Sequence, residues 1–155
     1  LKHFDFIVAP EHDAMKGQNV ISTKGAIHYL TENEIGENKN YLNSFIKKDE
    51  RKIWTLIIGG PTKYYDYSTM NMKNIFTLIN ELIKKYNFQL VVIPSMRTPK
   101  NTISYAKDYF GDNHTVIMDV DKKAYLSALA ISQSIIITCD SSSMISEAAL
   151  TEKPI

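Results

Sequence analysis

From residue 53 onward the chain alternates short, unbroken apolar runs with longer amphipathic stretches, and this alternation constrains the fold more than any other feature. Residues 53–58 read IWTLII, 88–93 FQLVVI, 115–118 TVIM and 134–139 SIIITC. Each run is of strand length, and none alternates apolar with polar as a half-buried strand does. Runs of this kind belong to strands covered on both faces. They predict a parallel sheet with helices on both sides, an α/β architecture.

The segments between the runs read as helices. Met72, Ile75, Phe76, Ile79, Leu82 and Ile83 fall at helical spacing, with Lys84 and Lys85 near the end and Asn87 placed to close it. Thr98 and Pro99 read as the cap and first position of the next helix, and Gly111 ends that helix. Further helices are expected over residues 122–132 and 144–150, with Asp119 and Asp121 as cap candidates for the first of them.

The first third is less regular. Residues 4–9 (FDFIVA) read as a buried strand ended by Pro10, and residues 19–23 as a second short strand. Residues 25–29 turn toward a helix, and 33–40 read as polar and exposed. Within 39–48, apolar residues at 41, 42, 45 and 46 suit a short helix. This divides the chain into an approach segment, residues 1–50, and a nucleotide-binding domain, residues 51–155. The close at 151–155 reads as a turn and the first residue of a further strand, so that domain is expected to continue beyond it.

Composition narrows the function. The 18 Lys and Arg against 17 Asp and Glu leave no nucleic-acid footprint. No apolar run approaches the length of a membrane span. A reducing compartment is expected from the lone Cys139, which reads as a core residue at a strand end. No spacing among the four histidines and Cys139 suggests zinc, and no metal site is predicted.

Ligands of open parallel sheets bind at the carboxyl ends of the strands. That rule selects four loops. In the first, Gly59 and Gly60 permit close backbone approach to a phosphate, and Lys63 supplies charge; the alternative is a tight turn and nothing more. In the second, Arg97 offers a donor fork to phosphate or carboxylate beside a helix start, or is a surface Arg. In the third, Asp119 and Asp121 suit Mg²⁺ less well than they suit capping. The fourth holds Asp140, Ser141 and Ser143, with Glu147 on the same rim. Hydroxyls and helix amides there suit a diphosphate or sugar, and a carboxylate suits a ribose diol. Asp140 would repel phosphate, so it is expected to orient the loop or a sugar hydroxyl. Tyr64, Tyr65 and Tyr67 either stack on a base or sugar, or pack over the sheet edge, or meet a partner domain. His12, Asp13 and His28 are the candidates for acid–base or orienting groups.

Several blocks, taken together and in order, resemble the mitochondrial-fission-type family of bacterial and plant proteins. They are Ala9-Pro10-Glu11-His12-Asp13; Gly17-x-Asn19-Val20-Ile21-x-Thr23-x-Gly25-Ala26-x-His28; Ile58-Gly59-Gly60-Pro61-x-Lys63; Ser95-x-Arg97-Thr98-Pro99; and Thr138-x-Asp140-Ser141-x-Ser143-Met144-x-Ser146-Glu147-Ala148. The second half is also similar in plan to the transferase that adds N-acetylglucosamine to lipid-linked muramyl-pentapeptide.

These resemblances imply a Rossmann-like domain, the carboxyl-terminal half of a GT-B glycosyltransferase-type protein whose amino-terminal domain faces it across a cleft. They further imply a nucleoside diphosphate sugar as ligand, with Glu147 on the ribose, Gly59 and Gly60 near the phosphates, and Ser141 and Ser143 near diphosphate or sugar. A lipid-linked acceptor and a cytoplasmic place, peripheral to the inner membrane, go with that reading. The plant member's association with mitochondrial division implies instead a non-enzymatic scaffold or interaction protein. A nucleotide-sugar epimerase or hydrolase is the third alternative. One departure from the family pattern is Glu152-Lys153-Pro154, where Gly-Lys-Pro is usual, so that turn is expected to differ.

Overall fold

The computed structural model describes residues 3–155; Leu1 and Lys2 lie outside the described residues. Its elements in order are β1 (Ile7–Pro10), β2 (Val20–Thr23), α1 (Glu32–Glu37), β3 (Ile53–Ile58), α2 (Thr69–Tyr86), β4 (Gln89–Pro94), α3 (Lys100–Phe110), β5 (Thr115–Val116), α4 (Lys122–Ile131), β6 (Ser134–Ile137) and α5 (Ser142–Ala149). The main sheet is parallel throughout, in the order β5-β4-β3-β6. β1 and β2 form a separate parallel pair.

The strand order follows from the crossovers. The chain adds β4 and then β5 on one side of β3, and then returns to place β6 on the other side. Two core layers result, because neighbouring residues of a strand point to opposite faces. Leu56, Ile58, Leu90 and Val92 pack against α2 and α3 through Met72, Phe76, Ile103 and Phe110. Ile57, Val91, Ile93 and Ile135 pack against α4 and α5 through Ala124, Leu126, Leu129 and Ala148. Helices therefore cover both faces, and the architecture is broadly Rossmann-like, as the apolar runs predict.

Local signals hold at most helix ends. Asp121 accepts the amides of Lys123 and Ala124 at 2.8 and 3.1 Å and caps α4. Ser141 caps α5. Asn87 closes α2 at φ 48° after the Lys84–Lys85 turn, and Gly111 follows α3 at φ 62°.

Other expectations are corrected. Pro99, not Thr98, occupies the cap position of α3. The Thr98 hydroxyl instead lies 2.6 and 2.8 Å from the carbonyls of Ile58 and Gly59, because the parallel sheet brings the end of β3 beside it. Residues 33–40 are not simply exposed loop. Thr31 caps α1 there, and Ile35 is buried against α4. Only a 3₁₀ turn forms at Tyr41–Ser44, anchored by the buried Leu42. The 115–118 strand stops at Val116.

β1 is present but not buried as expected. Phe4, Phe6 and Val8 are exposed, Ile7 is half-buried and Ala9 alone of the run is buried, since the β1–β2 pair stands apart from both core layers.

The closing turn forms despite lacking glycine. Glu152 takes φ 53°, and Lys153 Nζ reaches the carbonyls of Leu129 and Ala130 at 2.5 and 2.7 Å, at the end of α4. Pro154 then accepts the Ile135 amide at 2.9 Å along β6.

Candidate functional site

The loops after β3, β4 and β6 meet at the point where the strand order reverses, and Asp140 stands at their junction. Its side chain is only 1% exposed. Asp140 Oδ2 accepts the Gly60 amide at 2.9 Å and pairs with Arg97 Nη2 at 2.9 Å. Oδ1 accepts the Tyr67 hydroxyl at 2.5 Å and the Thr138 hydroxyl at 2.7 Å. Thr138 in turn accepts the Gly59 amide at 2.7 Å. Burial by itself raises the Asp140 carboxyl, but hydrogen bonds from Tyr67, Gly60 and Thr138 outweigh it and hold the group below the ordinary carboxylate range. Burial, then the Asp140 contact, pushes the Tyr67 phenol far upward.

This geometry explains both glycines. A Cβ on Gly59 would stand 2.1 Å from Asp140 Oδ2, and one on Gly60 would stand 2.2 Å from the Arg97 carbonyl. The backbone amides that the sequence offers to phosphate are engaged by Thr138 and Asp140. Asp140 is thus tied to the glycine loop through the Gly60 amide. Lys63 points outward, with its ammonium 4.7 Å from the Tyr64 ring centroid.

A cleft of about 570 Å³ opens beside this junction, at the carboxyl end of the sheet. Its walls come from Ile57 of β3, from the loops after β4, β5 and β6, and from α4 and α5. Of the sequence candidates, the cleft brings together Arg97, Ser141, Ser143, Glu147 and His28. Gly59, Gly60, Lys63 and Asp140 do not line it, nor do His12 and Asp13, which form an exposed 3.7 Å pair after β1.

Glu147 is held from α4. The Tyr125 hydroxyl donates to Oε2 at 2.7 Å, and Oε1 has no hydrogen bond among the described residues. Burial, followed by this carboxylate contact, drives the Tyr125 phenol strongly upward, so it stays a donor. Arg97 lies at the cleft with its side chain 47% exposed, tethered to Asp140 at one nitrogen. The distal wall is acidic but internally paired. Glu34 binds Lys122 at 2.6 Å, and Asp121 accepts the Tyr41 hydroxyl at 2.6 Å. That Tyr41 bond, with the Ala124 and Lys123 amides, outweighs partial burial and keeps Asp121 below the ordinary range.

The roof is the segment between β2 and α1. Ala26 donates its amide to Ser146 Oγ at 2.9 Å. Gly25 lies so close that a Cβ would stand 2.9 Å from the same oxygen. His28 hangs over the cleft from this anchor, with Nδ1 buried and unpartnered.

A smaller cavity of about 280 Å³ lies on the α2 side, lined by Tyr65, Tyr67, Ile136 and Cys139 among others. Cys139 is exposed, a correction to its expected place in the core. β6 ends at Ile137, so Cys139 belongs to the loop that leaves the sheet. Its thiol raises the Tyr65 phenol beside it.

Tyr125 was not singled out by sequence reasoning. Nothing in the order of residues announces its pairing with Glu147 from a different helix. Thr138 had a signal, since it stands two residues before Asp140 in the family block. Among the described residues no group of three or more His, Cys, Asp or Glu side chains is arranged to hold a metal ion, and no helix is long and apolar enough to cross a membrane.

The family described as "Mitochondrial fission ELM1" matches residues 1–155. The uncharacterized protein RP120 of Rickettsia prowazekii (strain Madrid E) is 28% identical over 158 residues, which cover 94% of this chain and 42% of that protein. The chain thus spans less than half the length of the curated relative it matches. No solved structure matches the chain.

Proposed function

This chain belongs to the mitochondrial fission ELM1 family, and from that premise we propose that it is a binding domain of a scaffold or interaction protein, not a self-sufficient catalyst. The observation that carries this reading is the Asp140 cluster. The Gly60 amide, the Thr138 and Tyr67 hydroxyls and one Arg97 nitrogen all donate to one internal carboxylate, and the Gly59 amide is taken by Thr138. The most elaborate polar cluster on the sheet edge therefore works as a clasp that fixes three loops.

A second reading is favoured by the cleft. Arg97, the open amides at the start of α5 and the free oxygen of Glu147 suit a nucleoside diphosphate sugar, with diphosphate toward Arg97 and the ribose diol toward Glu147. In that case the domain holds the donor of a glycosyl transfer. Arg97 and the helix amides stabilise the leaving diphosphate, and acceptor and base come from elsewhere in the full-length protein.

Calorimetric titration of the full-length protein with UDP, GDP and their common sugars separates the two. Saturable binding that is lost in Glu147→Ala supports the donor site. A well-folded protein that binds none of them up to low-millimolar concentration supports the scaffold reading.

A further inference from the structure

The chain between α1 and β3 ends in a strap, residues 45–52, that runs along the amino-terminal ends of the main sheet. The buried side chain of Gln89, at the start of β4, holds it. Gln89 Oε1 accepts the Lys47 amide at 2.7 Å, and Nε2 donates to the Lys47 carbonyl at 3.0 Å. On either side, the Thr115 hydroxyl of β5 donates to the Phe45 carbonyl at 3.0 Å, and the Gln89 amide donates to the Lys52 carbonyl at 2.8 Å. The end of α2 reaches the same edge. Lys84, Lys85 and Tyr86 stand just before β4, and Tyr86 stacks on Trp54 of β3 with ring centroids 5.7 Å apart.

This edge concentrates positive charge. Residues 45–52 and 84–86 hold six of the 18 Lys and Arg of the chain but only two of its 17 Asp and Glu, so the remainder is net acidic. Lys47, Lys48, Lys52, Lys84 and Lys85 are exposed, and none forms an ion pair among the described residues. Asp49 is taken by Arg51, and Asp112 by Lys107. Against the five lysines stand Glu50 and, one turn back along α2, Glu81. Charge gathered on one side in this way attracts an anionic surface over a distance that salt sets.

The side chains narrow the partner. Five of the six cations are lysines, point charges rather than the planar forks that pick out one phosphate. Two aromatic rings flank them, Phe45 at 51% and Tyr86 at 53% exposure, and Lys85 Nζ lies 5.0 Å from the Tyr86 ring centroid. Aromatic rings favour the headgroup level of a bilayer, and lysine stems lie along apolar surface while their ammonium groups reach outward.

We propose that the amino-terminal edge of the sheet is a peripheral docking surface for an anionic lipid bilayer. Lys47, Lys48, Lys52, Lys84 and Lys85 meet the headgroup phosphates, and Phe45 and Tyr86 sit at the headgroup level. The cleft, at the carboxyl end of the sheet, then faces away from the bilayer. This goes beyond both functional readings, since neither assigns anything to this edge and the test needs no ligand in the cleft.

The test is co-sedimentation of the full-length protein with vesicles of phosphatidylcholine alone and of phosphatidylcholine mixed with phosphatidylglycerol. Binding is expected to the mixed vesicles only, and should weaken steeply as salt rises. Each lysine changed to glutamine should weaken it about fivefold. The pairs Lys47→Gln with Lys48→Gln, and Lys84→Gln with Lys85→Gln, should therefore each show a large loss. Phe45→Ser should weaken binding at every salt concentration. Lys100→Gln, at the start of α3 on the opposite edge, should leave it unchanged. Melting temperatures check that each variant is folded.

Folded wild-type protein that stays in the supernatant with mixed vesicles at low salt would overturn the proposal. So would lysine-pair variants that bind as the wild type does, or equal binding to the uncharged vesicles. Tighter binding to a short DNA duplex than to mixed vesicles at the same salt would overturn it as well, and would make the edge a nucleic-acid surface.

Discussion

Gly59 and Asp140 are packed so closely that a methyl group on the glycine would stand 2.1 Å from the carboxylate. The two residues lie on neighbouring strands' loops, and each explains the other. Asp140 is buried because the glycine leaves room for it, and the glycine is required because the carboxylate fills that room. Gly59→Ala is expected to cost about 2 kcal/mol or more by overpacking. Gly36, in α1, has nothing within 4 Å of a Cβ, and Gly36→Ala should stabilise by about 0.5–1 kcal/mol. Urea unfolding of both variants checks the pair, and equal effects would contradict the packing.

Asp140 should matter more than its ion-pair partner. Asp140→Ala leaves the Gly60 amide and the Tyr67 and Thr138 hydroxyls without their acceptor, at about 3 kcal/mol. Arg97→Ala removes a half-exposed side chain and leaves three neutral donors on the carboxylate, so it should cost about 1 kcal/mol or less. Denaturant midpoints that rank the two the other way would show that the ion pair, not the neutral donors, holds the clasp.

Glu152 sits at φ 53°, a conformation that a side chain resists and glycine does not. Glu152→Gly is expected to raise stability by about 0.5–1 kcal/mol, net of the entropy glycine adds to the unfolded chain. A lower melting temperature in this variant would mean that the Glu152 side chain contributes something its contacts do not reveal.

His114 makes stability depend on pH. Its Nδ1 accepts the Leu90 amide at 3.0 Å, and burial, helped by Arg51, holds its pKa below the ordinary 6.5. The folded protein therefore takes up this proton less readily than the unfolded chain. The contribution is complete above the unfolded value and is lost as pH falls from there through the folded value. Unfolding at about pH 7.5 and about pH 5.5 should show the loss, and His114→Asn, which can still accept the amide, should reduce it. An undiminished pH dependence in the variant would assign the effect to other groups.

Much of the fold was legible because its causes are local. Unbroken apolar runs such as Ile53–Ile58 announce two-sided burial wherever they are placed. Asp121, Ser141 and Asn87 act within their own helix turn, so their roles follow from neighbours in sequence. Family membership was legible for a related reason, since it rests on ordered blocks of residues.

The site was not legible in the same way. Arg97, Ser141, Ser143, Glu147 and His28 do line one cleft, from different elements of the fold. But whether Gly59 and Gly60 face a ligand or Asp140 depends on β6 lying beside β3, a matter of strand order that no local pattern encodes. The same holds for Tyr125 on Glu147 and for the roof pinned to Ser146, 120 residues away in sequence. Backbone propensity and hydrophobic period are properties of a short window and were determined by the sequence alone. Which polar groups meet is settled when the sheet assembles, because each must find a partner among whatever the topology brings within hydrogen-bond reach.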